Sequence, residues 1–149
     1  MRLGAEALQR RTLNPLHLLT LSSLQQLNEQ LVAEGHAAVE LERFRPNLLI
    51  DSPAGALAPF AEENFANVSW PDSAGSPLLQ VADSCVRCVM VNVDLHDASV
   101  AKEPLATVAQ MSRERRPEAP VCFGVYGRSQ HGGVLTRGDE GWAQLKASG

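Results

Sequence analysis

Between residues 20 and 35 the apolar positions fall on one side of a helix. Leu24, Leu27 and Leu31 recur at three- and four-residue steps, with mostly polar residues between them. Ser22 or Ser23 stands three residues before Gln25 or Gln26, the capping-box spacing that occupies free N–H groups at a helix start. Gly35 is placed to take the left-handed position that ends a helix. The pattern predicts an amphipathic helix over 22–34. The run before it, Pro15-Leu16-His17-Leu18-Leu19-Thr20, is short, apolar and opened by proline, and reads as a strand. Residues 1–12, with Leu3, Ala7 and Leu8 on one side, read as a short amphipathic helix or a frayed start.

From residue 40 onward the pattern turns to short apolar runs. Residues 44–51 are strand-like and end in the turn sequence Asp51-Ser52-Pro53-Ala54-Gly55. Residues 59–70 are mixed, with a short strand leading into a loop, and 70–77 carry the Pro, Gly and Ser of an exposed connection. Residues 78–82 and 86–93 are β-type runs, the second rich in valine. Glu103-Pro104-Leu105 opens a helix, with proline at the first helical position and Leu105, Val108 and Met111 as its apolar face. Residues 120–126 and 133–136 read as the last strands. Many short strands with two convincing helices predict a mainly β fold with α, a barrel or sandwich with helical decoration.

Composition narrows the classes. The 149 residues are 44% hydrophobic but only 5% aromatic, so the core is expected to be built from Leu, Val, Ile and Ala. That length suits one domain with a real core. A net charge of −4 without a basic stripe argues against nucleic acid or an anionic membrane as partner. No apolar run approaches the roughly 18–20 residues of a membrane span, and the first eleven residues hold no signal-type apolar core. Three cysteines do not make a disulfide framework, so a reducing, cytoplasmic compartment is expected.

Cys85-Val86-Arg87-Cys88 is the main candidate for chemistry. It reads as a thioredoxin-type pair, although the residues that follow prefer a strand to the required helix. A zinc site would draw on Cys122, His96 and His131, which form no second tight pair. A buried pair of small apolar residues is the plain alternative. The fourth reading is a single thiolate ligand for a soft metal, with Arg87 lowering the thiol pKa and binding an anion. Of the other polar residues, Arg45 reads alternatively as a surface partner of Glu40 or Glu42, and His17 as a core histidine. Glu62 and Glu63 either hold Arg45 or are solvated. Arg113, Arg115 and Arg116, alternating with Glu114 and Glu118, read as a solvated helix end. Ser129, His131 and Asp139 hold the ingredients of a hydrolase triad but no nucleophile elbow.

Six segments resemble one family in the right order. They are residues 15–24, Arg43-Phe44-Arg45-Pro46-Asn47 with Leu48-Leu49-Ile50, and Pro59-Phe60-Ala61-Glu62-Glu63-Asn64-Phe65. Then follow Cys85-x-Arg87-Cys88 with Asp94, Glu103-Pro104-Leu105, and Phe123-Gly124 with Gly138-Asp139. Across about residues 13–139 the chain resembles a MOSC domain, the C-terminal domain of molybdenum cofactor sulfurases. The same domain occurs in amidoxime-reducing and hydroxylaminopurine-detoxifying molybdenum proteins. The resemblance implies a MOSC-type β-barrel with a few peripheral helices, as a single domain over 1–149. It implies neither the N-terminal β-barrel domain of larger members nor the aminotransferase-like, pyridoxal phosphate-associated domain of sulfurases.

In that family the cysteine matching Cys88 ligates molybdenum or carries sulfur, and the residues matching Arg45, Asn47 and Arg87 lie near the pterin and its phosphate. Cys88 is thus expected as catalytic thiol and metal ligand. Arg45, Asn47, Arg87 and Cys85 are expected at the cofactor, Cys85 as a buried supporting residue or a resolving thiol. The implied function is binding the molybdenum cofactor (molybdopterin) or carrying sulfur for it. A small molybdenum-dependent reductase of N-hydroxylated compounds and a non-enzymatic sulfur-relay module are the alternatives. An enzyme of this kind would be sulfurtransferase-like or an oxidoreductase acting with a partner protein or as a homodimer. The isolated chain is expected to be purified without cofactor. Two departures stand out: Asp94-Leu95-His96-Asp97-Ala98-Ser99 replaces an Asp-x-x-Thr-Gly segment, and Gly141 stands where an apolar residue is usual.

Overall fold

A computed structural model describes residues 16–147. Six strands form one curled mixed sheet, a half barrel, with two helices, so the fold is mainly β with α as expected. The strands are β1 Leu16–Thr20, β2 Leu48–Ile50, β3 Phe65–Ser69, β4 Leu78–Val86, β5 Cys122–His131 and β6 Trp142–Leu145. The helices are α1 Leu21–Ala33 and α2 Leu105–Arg115. Strand order is β2-β1-β5-β4-β3-β6; β1 pairs in parallel with β2, and every other pairing is antiparallel.

Strand β1 is buried at four of its five positions because both of its faces are covered. Leu19 joins Leu24, Leu27 and Leu31 of α1, Val108 and Met111 of α2, Phe44 and Phe123. Leu18 points the other way, to Phe65, Val68, Trp70, Leu79, Val81 and Val125. Each fully buried leucine contributes roughly 1.5–3 kcal/mol from the area it removes from water. Phe123 and Val125, two residues apart on β5, lie in different clusters, which a regular strand forbids. A bulge explains it: two steps of β4 from Ser84 to Val86 face three steps of β5 from Val125 to Cys122, and Gly124 there has φ 79°.

Helix α1 forms where its leucine spacing predicts, and Gly35 ends it at φ 83°. Its cap, however, is Thr20, whose hydroxyl accepts from the Ser23 N–H, and not Ser22 or Ser23. Pro104 stands one position before α2, where Asn92 Oδ1 accepts from the Leu105 N–H at 2.8 Å and Glu103 Oε2 from the Thr107 N–H at 3.0 Å.

Three strand expectations are corrected. Residues 86–93 are not a strand: β4 runs unbroken to Val86, its partner β5 begins at Cys122 opposite it, and Val89–Asn92 folds as a 3-10 turn. Without a facing edge the valine-rich run cannot continue the ladder. The strand-like stretch 44–51 begins in a 3-10 turn, Leu41–Arg43, and only Leu48–Ile50 is paired. Residues 133–136 form a loop clipped to the neighbouring one by the Val134 N–H on the Ala74 carbonyl at 2.8 Å, and the last strand is β6. Trp70 is buried rather than part of the exposed connection. The expected strand at 15–20 forms as β1 from Leu16, while Pro15 and the expectation for residues 1–12 lie outside the described residues. No helix among the described residues is long and apolar enough to cross a membrane.

Candidate functional site

The end of β4 alternates inward and outward. Cys85 is buried, Val86 is exposed, Arg87 turns inward and Cys88 is exposed. The backbone stays extended through Cys88 (φ −126°, ψ 179°), and the Arg87 N–H donates to the Val121 carbonyl at 2.9 Å. Three extended steps separate the Cα atoms of Cys85 and Cys88 by about 10 Å, beyond the roughly 7 Å limit for a disulfide. Their side chains also lie on opposite faces. Burial pushes the Cys85 thiol up, against the opposing influence of the Arg87 charge and the Tyr126 hydroxyl. Burial raises the Cys122 thiol as well, and its sulfur donates to the Pro120 carbonyl. Of the three thiols, Cys88 alone meets solvent.

Arg87 is held by neutral groups. Its Nε and Nη2 donate to the Phe123 carbonyl at 3.0 and 2.8 Å, and its Nη1 donates to the Phe44 carbonyl at 3.1 Å. Nη2 also lies 2.5 Å from His17 Nε2. The Phe44 ring sits 5.6 Å from the guanidinium carbon. An arginine has no lone pair to offer, so the ring nitrogen facing it must be the acceptor and the imidazole neutral. Burial, with the Arg87 charge second, lowers the His17 pKa to about 4 from its ordinary 6.5.

Two features hold that ring in place. Asn47 grips the His17 backbone from both sides, accepting from its N–H at 2.7 Å and donating to its carbonyl at 2.8 Å. Gly124 supplies the space: a Cβ there would run into the His17 ring and stand 2.8 Å from the Leu18 carbonyl. The Phe123-Gly124 pair therefore serves the fit of His17 and Arg87.

The segment Arg43-Phe44-Arg45-Pro46-Asn47 is tied to the end of β4 through Phe44 and Arg87. Arg43, rather than Arg45, makes the ion pair here, to Asp94 Oδ2 at 2.5 Å. Glu40 meets His96 instead of Arg45. Arg45 is exposed with its backbone at φ 51°, and no described residue holds its side chain by a hydrogen bond or ion pair. Asp94 also accepts from the His96 N–H and, through its carbonyl, from the Ala98 N–H at 3.0 Å. Ala98 sits at φ 60°, so the turn that glycine would make easily is made here by a residue with a Cβ.

Other candidates belong to the scaffold. Glu62 is fully buried and neither solvated nor bound to Arg45; its Oε2 accepts from Thr20 at 2.8 Å and Ser23 at 2.9 Å. Burial pushes its carboxyl up. Glu63 pairs with Arg115 and Arg116 at 3.1 and 3.3 Å, so that helix end is anchored instead of solvated. Arg115 also covers the Phe60 ring at 3.4 Å. No triad assembles: Asp139 accepts from Ser73 at 2.6 Å and from the Thr136 N–H. Gly141 has its own reason, because a Cβ there would lie 2.6 Å from Trp70 Nε1.

Sequence reasoning singled out Arg45, Asn47, Arg87 and Cys88, which the fold brings to one end of the sheet around Arg87. It weighed His17 as a core histidine against a ligand, not as a partner of Arg87, and it passed over Arg43 and Asn92. Arg43 carried a signal in its spacing from Arg45 within the motif, but nothing in the chain reveals which arginine meets Asp94.

The chain is thus a mainly β half-barrel with two helices and one solvent-exposed thiol. The chain belongs to the MOSC domain family, whose model matches residues 10–141. It is 30% identical over 113 residues to the molybdenum cofactor sulfurase of Botryotinia fuckeliana, covering 74% of this chain and 13% of that one. With the molybdenum cofactor sulfurase of Danio rerio it is 35% identical over 86 residues, covering 58% of this chain and 9% of that one. The matching protein of Aspergillus terreus is 29% identical over 114 residues. The chain spans about a tenth of the length of these curated relatives.

Proposed function

We propose that this domain binds the molybdenum cofactor, or carries sulfur for it, through Cys88. The observation that carries the reading is the exposed Cys88 thiol, next to Arg87, whose bond to the Phe44 carbonyl ties it to the segment that presents Arg45, unpaired among the described residues. A soft sulfur donor suits molybdenum. No group of three or more His, Cys, Asp or Glu able to hold a metal ion occurs among the described residues. One thiol and one guanidinium suit a metal that arrives in a cofactor with ligands and an anionic group of its own. When bound, the cofactor supplies the metal to which the thiolate coordinates and the site of sulfur exchange. This chain's residues do the rest: Cys88 offers the sulfur, Arg45 meets the anionic group, and Asn47 fixes the strand beneath them. Arg87, with its fork committed to Phe44 and Phe123, contributes charge rather than a clamp, and Cys85 supports from behind the strand.

The same segment exposes Val86, Val89, Met90, Leu95 and Val100. Such an apolar border around a reactive thiol supports a site that is completed by a partner protein or a second copy, in a reducing compartment such as the cytoplasm. The test is metal analysis and intact-mass measurement of protein from a molybdenum-replete host, with and without added cofactor. Cys88→Ser should abolish loading by cofactor or persulfide, and Cys85→Ser should only weaken it. Equal loading by wild type and Cys88→Ser would overturn the assignment. Arg45→Lys keeps the charge but loses the fork, so cofactor affinity should fall about tenfold.

A further inference from the structure

We infer that His17 is a positioning residue for Cys88: as a neutral acceptor it holds the Arg87 guanidinium inward with its charge uncancelled, so the field of Arg87 reaches the exposed thiol. The inference rests on Cys88 being the working thiol. Among the described residues every hydrogen-bond partner of the Arg87 side chain is neutral, two backbone carbonyls and an imidazole. No ion pair among the described residues includes it. The titratable groups that bear on it are the Cys85, Cys122 and Cys88 thiols and the Tyr126 hydroxyl, and of these thiols only Cys88 is open to solvent.

These partners satisfy the N–H groups without neutralising the charge. A half-buried cation of this kind, with its solvation reduced, seeks an anion. Among the thiols that bear on Arg87, the solvent-open one is Cys88, where an anion can stand as a thiolate, a persulfide or an anionic ligand. A carboxylate at position 17 would cancel the charge from within, and an aliphatic side chain would leave Nη2 without its acceptor. A neutral hydrogen-bond acceptor does neither. The room for the ring comes from Gly124 and its fixed height from Asn47, so three segments of the site converge on this one contact.

The experiment compares alkylation of Cys88 by anionic iodoacetate and neutral iodoacetamide, using the full chain without cofactor. Trypsin cleaves between Arg87 and Cys88, so Cys88 is read in the 88–102 peptide, apart from Cys85. The iodoacetate-to-iodoacetamide rate ratio of native protein should exceed that of the urea-unfolded chain by about threefold, and added salt should erase the excess. His17→Asn should keep the excess. His17→Asp should remove it, and so should His17→Leu, which drops the acceptor without adding a charge. A native ratio equal to the unfolded one overturns the inference, as does an excess retained in either of the last two variants when folded. Loading of Cys88 by cofactor or persulfide is measured separately, so a failed functional reading leaves this ratio readable.

Discussion

Gly124 lies against His17 so closely that no other residue can replace it without moving the ring. Its backbone has φ 79°, and a Cβ would meet both the His17 ring and the Leu18 carbonyl, the latter at 2.8 Å. Gly124→Ala therefore combines left-handed strain with a collision against backbone that has nowhere to go. We expect a loss of about 3 kcal/mol or more in urea unfolding, and a disturbed β5 bulge. A variant within about 0.5 kcal/mol of wild type would show that His17 does not need this space.

The buried neutral state of His17 gives stability a pH dependence of known sign. Burial lowers its pKa to about 4 in the folded protein, against an ordinary 6.5. Between those values the unfolded chain binds a proton that the folded one refuses, so folding loses stability as pH falls through that window. The contribution is fully present above pH 6.5 and gone near pH 4, on the order of 3 kcal/mol in all. Glu62 works in the opposite sense, because its raised pKa favours the folded state at lower pH. The comparison that isolates His17 is the difference in unfolding free energy between wild type and His17→Asn. It should shrink from pH 7 to pH 4.5; a difference independent of pH would contradict the assignment.

Ala98 makes a left-handed turn at φ 60° while its N–H donates to the Asp94 carbonyl. The strain exceeds the entropy that a glycine would add to the unfolded chain. Ala98→Gly should then stabilise by roughly 0.5–1 kcal/mol, read as a higher unfolding midpoint. A destabilised variant would mean that the Ala98 methyl makes a contact worth more than the strain.

Periodicity revealed α1, because Leu24, Leu27 and Leu31 must share one buried face and Gly35 must follow them. It revealed β1, whose apolar run is buried on both sides. It failed at 86–93, where β propensity is high but no strand edge faces the run, since the end of a ladder is set by the partner and not by local sequence. Strand β6 was missed because all four of its residues are exposed and carry no alternation. At the site, the motif residues were legible by resemblance, but their division of labour was not. Arg45 and Arg87 look equivalent in the chain; only the fold shows one guanidinium without a partner among the described residues and the other spent on two carbonyls and His17. The bulge at Gly124, which places those carbonyls, depends on a register shift between strands 35 or more residues apart in sequence.

The alternation at the end of β4 sets what the Cys85–Cys88 pair can do. With Cys85 inside and Cys88 outside on an extended strand, joining them requires β4 to peel away beyond Ser84. That breaks the Arg87 N–H bond to Val121 and withdraws the guanidinium from Phe44, Phe123 and His17. Hydrogen bonds made by a charged donor contribute about 1.5–3 kcal/mol each, so the opening costs several kcal/mol before any disulfide strain is added. Mild oxidation of the native protein should accordingly yield Cys88 as a mixed disulfide with glutathione, or as a Cys88–Cys88 dimer. Cys85 and Cys122 should stay reduced until the chain is unfolded. Peptide mapping after trypsin reads this directly, because cleavage after Arg87 leaves Cys85 and Cys88 in separate peptides unless a disulfide joins them. A native monomer with the two peptides covalently linked would overturn the geometry and revive a relay between the paired thiols. Cys88 alkylated no faster than Cys122 in the folded chain would likewise remove the exposed thiol on which the site depends.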